Sequence, residues 1–372
     1  MQKFVLVLMG AMLFNIMVQA IKTDKMVNCY MVIGTPKRFQ LKNIDPDLCT
    51  HISYAYFDID NEGLKPFYQL PSNSERFNLK WANPKLKQIA VVGGDKVSTK
   101  QFSKMAVDPN LRRIFRQSVR VFLVENDFNG LDLHWLYMEK PADKENFVTL
   151  IRELREHFKY LDLELGISVI ADNKYARLWY DVPNIVENVD FINVMAYNYT
   201  DNLLGHNAAL FGTGEDNVNA SIHFWLSQGA PASKLNMGVA FYGRHYNTME
   251  ITKDIVRYMP YYAITDRSEH LKDTVFGFDE DVGRAFLDDP RSWASYESMR
   301  GLEMKMAYVK EMGLRGVMIA KLEDDDYRGR FNRTGNYPLL QQINRQLDER
   351  FECRPGICCI KRKTVQSPCF YV

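Results

Sequence analysis

Eight short runs of β-branched and aromatic residues, separated by longer amphipathic stretches, limit what this chain can fold into. The runs fall at residues 29–33, 51–58, 86–92, 130–135, 164–169, 191–196, 235–241 and 316–320. Strand-length apolar runs alternating with helical periodicity mark βαβ units and a parallel sheet. Two intervening stretches show the helical period directly. Asp143 reads as a helix cap ahead of Phe147, Leu150, Ile151, Leu154 and Phe158, an apolar stripe of period 3.6. Met304, Ala307, Tyr308 and Met312 form a similar stripe before the last run. Eight strands with interleaved helices predict an α/β fold, a (β/α)8 TIM barrel. The 372 residues suit one such domain with additions, because barrels of about 250 residues commonly form single domains.

Residues 1–20 read as a secretory signal peptide. Lys3 is the charged start, Phe4 to Phe14 the apolar core, and Val18-Gln19-Ala20 a small-residue cleavage site. The apolar run is shorter than the roughly 18–20 residues that a membrane span requires. A soluble, secreted, extracellular product with no membrane span is expected. The 47 basic residues balance 46 acidic ones without a sustained basic run, which argues against nucleic acid or a membrane surface as principal partner.

The fourth run holds the most chemistry. In Phe128-Asn129-Gly130-Leu131-Asp132-Leu133-His134-Trp135-Leu136-Tyr137, residues two apart point the same way along a strand. Asp132, His134 and Leu136 therefore share one face, and Leu131, Leu133 and Trp135 the other. Around Gly130 and Asp132 the segment resembles the signature of glycoside hydrolase family 18, the chitinases and chitinase-like proteins, usually Phe-Asp-Gly-x-Asp-x-Asp-x-Glu-Tyr. Asp132 is kept. Asn129, His134 and Leu136 replace two aspartates and the terminal glutamate. In active relatives that glutamate protonates the leaving oxygen, while the substrate's own acetamido group serves as nucleophile. Leu136 cannot donate a proton, and loss of a positioned general acid costs on the order of 10²–10⁴ in rate. The resemblance thus implies a pseudoenzyme, similar to secreted chitinase-like proteins such as the insect imaginal disc growth factors.

Further segments match in family order: Cys29-Tyr30, Cys49-Thr50-His51, Val92-Gly93-Gly94, Val189 to Tyr197, Phe241-Tyr242-Gly243-Arg244, and Gly335 to Leu339. The resemblance covers nearly the whole mature chain. It implies a sugar-binding remnant of Asp132, Met195, Tyr197, Asn198, Tyr242 and Arg244. The tyrosines and the arginine contact sugar or position its acetamido group in active relatives. Asn198 replaces a further aspartate, and Asn129 and His134 stand for relay aspartates. Gly34, Asp95 and Ala320 occupy positions where the family carries tryptophan. Sugar rings stack on aromatic faces, so chitin or N-acetylglucosamine oligomers are expected to bind weakly.

His134 reads as an interior residue hydrogen-bonded to Asp132 rather than as a new acid or base. With no second His or Cys at ligand spacing, no metal is expected, and no cofactor. The acidic run Glu323 to Asp326 lacks the alternating ligand loop of calcium motifs and reads as a loop. Tyr258 to Tyr262 reads as the core of an insertion.

By resemblance, residues 21–348 form the barrel, with a shortened α+β insertion at about 247–296 after strand seven. Residues 349–372 form a short Cys-rich tail. Six cysteines behind a signal peptide imply disulfides. Cys29 and Cys49 match a family bridge, whereas Thr265 and Asn332 replace the partners of another. In the tail lie Cys353, Cys358, Cys359 and Cys369. Neighbouring Cys358 and Cys359 rarely pair with each other, which leaves two pairings open. Of three acceptor sequons, Asn219 and Asn332 are expected to carry glycans, and Asn198, at the cleft mouth, is not. The expected role is a non-hydrolytic extracellular factor in signalling, immunity or tissue remodelling that binds an unknown extracellular protein. The rival readings are a chitin-oligosaccharide lectin and, last, a chitinase using another acid.

Overall fold

The computed structural model describes residues 23–34, 39–60, 63–66, 70–94, 97, 99–199, 206–247, 256–270, 275–289, 292–330, 335–348, 351–354, 357–360 and 369–371. The expected signal peptide lies outside them. Eight parallel strands form the barrel: β1 (Met26–Val32), β2 (His51–Asp60), β4 (Lys87–Gly93), β5 (Gly130–His134), β6 (Glu164–Ile170), β7 (Phe191–Met195), β8 (Leu235–Ala240) and β14 (Gly316–Ala320). Pairing of β1 with both β14 and β2 closes the ring. All eight expected runs are strands. In the barrel sheet one described strand escaped the sequence reading, β3 (Gly63–Pro66), which runs antiparallel along β2.

Alternation along β5 sorts its neighbours as the sequence requires. Trp135, just past the strand, packs outward. Its ring stacks on Phe102 of helix α2 (Thr99–Val107) at 5.1 Å and meets Phe147 of α4 (Pro141–Phe158) edge-on at 5.9 Å. The predicted α4 stripe is fully buried. Asp143, however, is not the cap. Pro141 occupies the first turn, where its missing N–H costs nothing, and Lys140 is the capping position. Asp143 sits at the third helical position and reaches back to the N–H groups of Lys140 and Glu139, at 3.0 and 3.2 Å.

A second correction concerns α9 (Met299–Glu311). Its buried face carries Leu302, Lys305, Met306 and Val309, and Ala307 of the expected stripe is exposed. The cause is Lys305. Its side chain is wholly buried in an ion pair with Glu297, whereas a lysine in a sequence marks a solvent face.

The insertion is an α+β unit, as expected, but begins earlier. A five-stranded antiparallel sheet runs from β9 (Tyr242–Asn247) to β13 (Ser292–Tyr296), with α8 (Tyr261–His270) beside it. Cys29 and Cys49 are bridged. The described tail forms three antiparallel strands, β15 (Phe351–Arg354), β16 (Ile357–Ile360) and β17 (Cys369–Tyr371). Among the described residues, no helix is long and apolar enough to cross a membrane.

Backbone register sets Cys353 opposite Cys358 and Cys359 opposite Cys369. Directly opposed positions bring Cα atoms to about 4.5–5.5 Å, within disulfide reach. Peptide mapping under non-reducing conditions is expected to find Cys353–Cys358 and Cys359–Cys369. A Cys353–Cys359 link would contradict this register.

Candidate functional site

Asp132 projects into the barrel and is wholly buried. One carboxyl oxygen, Oδ2, accepts from Tyr30 of β1, from Ser168 of β6 at 2.9 Å and from Asn193 of β7 at 2.8 Å. Asn193 in turn accepts from Asn236 of β8 at 2.9 Å. The other oxygen, Oδ1, has no partner. Burial pushes the carboxyl up to about 7, against the pull of the three donors.

His134 lies two residues on and is 2 % exposed. Neither ring nitrogen has a hydrogen-bond partner, so the expected bond to Asp132 is absent. Residues two apart on a strand are about 6.6 Å apart along it, and Oδ2 is already taken by donors from three other strands. Burial alone lowers the imidazole to about 3, which leaves it neutral at physiological pH. Its ring lies 5.3 Å from that of Tyr56. A buried donor or acceptor without a partner costs about 1–3 kcal/mol, so His134 is held here by packing. Leu136 follows beyond the strand end. His134 and Leu136 line a cavity of ≈ 270 Å³ with Gly94, Val97, Thr99, Phe102, Trp135 and Tyr137.

Asn129 is not part of this site. It precedes β5 at the opposite end of the barrel, where its side-chain oxygen accepts from the Gln88 N–H at 2.9 Å. The assignment of a relay role to Asn129 is therefore corrected: it holds the entry of one strand against the next.

The other expected residues do gather at the C-terminal end, where such barrels carry their sites. Met195, Tyr197, Tyr242 and Ala320 pack in one cluster with Tyr30, the Asp132 donor. The Tyr197 and Tyr242 rings meet edge-on at 6.1 Å, and the Tyr242 hydroxyl donates to Asn198 at 3.0 Å. Asn198 holds a left-handed φ of 62°, a conformation that asparagine tolerates better than most residues. Arg244 lies on β9 directly opposite Tyr258. Both cleft tyrosines are only 7 % exposed.

Tyr258 corrects another expectation. It is 46 % exposed, and its ring lies 4.6 Å from that of Tyr242. Its hydroxyl donates to Asp324, and the Lys321 ammonium lies 4.8 Å above its ring. Of that segment, Met259 and Tyr261 are buried in core clusters, at 7 % and 6 % exposure. The acidic run is structural: Asp325 accepts the Leu339 and Leu340 N–H groups at the start of α10 (Pro338–Leu347). Among the described residues, no group of three or more His, Cys, Asp or Glu side chains is placed to hold a metal ion. Asn219 sits in the first turn of α7 (Val218–Ser227), half-buried, and accepts from Tyr308 at 3.1 Å. Asn332 lies outside the described residues.

Tyr30, Ser168 and Asn193 were missed as site residues. Their signal was present. A single polar residue within a strand run that is otherwise apolar must find a partner inside the barrel.

The fold is a closed (β/α)8 barrel with a buried polar cluster at its centre and a small sheet inserted after β8. The profile of Glycosyl hydrolases family 18 matches residues 26–325, and the chain belongs to that family. It is 32% identical over 355 residues to Chitotriosidase-1 of Mus musculus, covering 84% of this chain and 74% of that protein. The Group IV chitinase of Ostrinia furnacalis superposes with a TM-score of 0.82 at 30% identity, over 87% of this chain and 100% of that one. Human YKL-39, described as a pseudo-chitinase with retained chitooligosaccharide binding properties, superposes at 0.79 with 26% identity, over 87% and 99%.

The two central groups respond to pH with opposite sign. Folded Asp132 keeps its proton from about pH 4 to 7, where an unfolded carboxyl with a value of 3.8 gives it up, so its contribution to stability falls as pH rises through that window. Folded His134 stays neutral down to about 3, where an unfolded imidazole protonates below 6.5. Its contribution falls as pH drops. The two slopes, each at most about 1.4 kcal/mol per pH unit, largely cancel between pH 4 and 6.5. Urea unfolding at pH 4.5 and 6.5 is expected to expose them. Asp132→Asn should gain stability towards pH 6.5 relative to the parent, and His134→Leu should lose it. Identical pH dependence in all three proteins would refute this assignment.

Proposed function

We propose that this protein is a non-hydrolytic, secreted member of its family, an extracellular signalling, immune or tissue-remodelling factor whose barrel is a scaffold for binding another protein. The observation that carries the reading is Leu136. It stands where the resemblance places the proton donor, and its own side chain carries no ionisable group. Asp132 is wholly buried and His134 nearly so, and His134 is neutral with its pKa near 3. Neither is placed to deliver a proton to a sugar in the cleft. The segment at residues 1–20 supports export.

A chitooligosaccharide lectin is the second reading. The gathering of Tyr197, Tyr242, Asn198 and Tyr258 favours it, as does the binding described for human YKL-39. Against it stand Ala320 in place of a tryptophan platform and the low exposure of both inner tyrosines.

The mature chain, made in a secretory host, is expected to show no turnover of a fluorogenic chitooligosaccharide at any pH from about 4 to 9, the range in which a carboxyl or imidazole acid titrates. Turnover that disappears in Asp132→Ala would overturn the pseudoenzyme reading. Calorimetric titration with tetra-N-acetylchitotetraose separates the remaining two. The scaffold reading expects no saturable heat. Binding that Tyr242→Ala weakens tenfold or more would put the lectin first.

A further inference from the structure

We propose that the cavity at the end of β5 is a binding site for a small, flat, largely apolar molecule carrying one hydroxyl group. Its walls are Val97, Phe102, Trp135 and Leu136, with Gly94 at one side and Thr99 and Tyr137 completing the lining. Among the described residues, no lining side chain carries a charge. Thr99 is already committed, its hydroxyl donating to the Tyr137 carbonyl.

Among the described lining residues two buried side chains lack partners: the Trp135 indole N–H, which can only donate, and His134. His134 is 2 % exposed, and both of its nitrogens lack partners. A neutral imidazole offers one donor and one acceptor, and a hydroxyl is the smallest group that answers both. A sugar ring fits poorly, because its several hydroxyls would face apolar walls and lose their hydrogen bonds to water. An apolar cavity of about 150 Å³ takes up benzene. At ≈ 270 Å³ this one has room for a fused bicyclic ring. Phe102 and Trp135 stack on one another with ring planes 8° apart and form one rigid aromatic wall of the cavity. His134 and Leu136 are two of the substitutions that make the family motif degenerate. The replacements that removed charge from this end of the barrel also form the apolar pocket. The inference goes beyond the scaffold reading and does not depend on it.

The test uses the full mature chain with 2-naphthol as probe and naphthalene as its counterpart without a hydroxyl. Calorimetry is expected to show saturable one-to-one binding of 2-naphthol, with naphthalene at least tenfold weaker. The His134 ring nitrogens, followed by ¹⁵N NMR, should shift at saturation. His134→Leu should retain naphthalene binding and lose the preference for 2-naphthol. Leu136→Trp, which fills the cavity, should abolish binding without changing the circular dichroism spectrum. The proposal is overturned by absence of saturable 2-naphthol binding, or by equal affinity for both probes. It is also overturned by binding that Leu136→Trp leaves intact, or by His134 nitrogen signals that do not move and so report ordered water only. Should Leu136→Trp fail to fold, the nitrogen shifts of the unaltered protein decide the matter.

Discussion

The hydrogen bonds that converge on Asp132 join more of this barrel than any other polar contact. One carboxyl oxygen takes donors from β1, β6 and β7, and Asn193 extends the network to β8. Ser53 and Asn28 form a separate link between β2 and β1 at 2.6 Å. A closed barrel of eight strands must fill its interior with side chains, and polar ones are tolerated there only when paired. Asp132 meets that condition on one oxygen. Burial pushes its pKa up to about 7, so near neutral pH it is partly a neutral acid. The barrel therefore tolerates a carboxyl at its centre without a cation beside it.

The same economy of charge governs the cleft. Several carboxylates close together on one strand repel one another and must share protons. Here His134 is neutral and Leu136 uncharged, so Asp132 has no carboxylate beside it on its own strand. The mouth has become aromatic instead. Tyr242 is sandwiched between Tyr197 and Tyr258, and the Lys321 ammonium covers the far ring. An ammonium over an aromatic face contributes roughly 0.5–1 kcal/mol at exposed sites. The insertion is thus tied to the barrel beside Tyr242, through Tyr258 and its contacts with Asp324 and Lys321.

Strand positions and the α4 stripe were legible because burial on a strand or helix imposes a period, and a period survives in the sequence. So was the bridge between Cys29 and Cys49, through resemblance. Errors arose where a partner distant in sequence decided the outcome. Lys305 reads as a surface residue until Glu297 is seen beside it in the interior. Asp143 reads as a cap until Pro141 is seen to occupy the first turn and hand that position to Lys140. Asn129 reads as part of a catalytic relay because it is close in sequence, yet three residues of strand carry it about 10 Å from Asp132 along the axis.

The amino-acid sequence by itself determined the barrel and its strand order, because these depend on local periodicity. Only the tertiary structure decided what Asp132 and His134 do. The sequence sets them on one face and suggests that they bond. Closure of the ring brings Tyr30, Ser168 and Asn193 to the carboxyl first, and the imidazole is left unpartnered beside a cavity. Which donors reach a buried group depends on strands up to 102 residues away, and no local pattern records that distance.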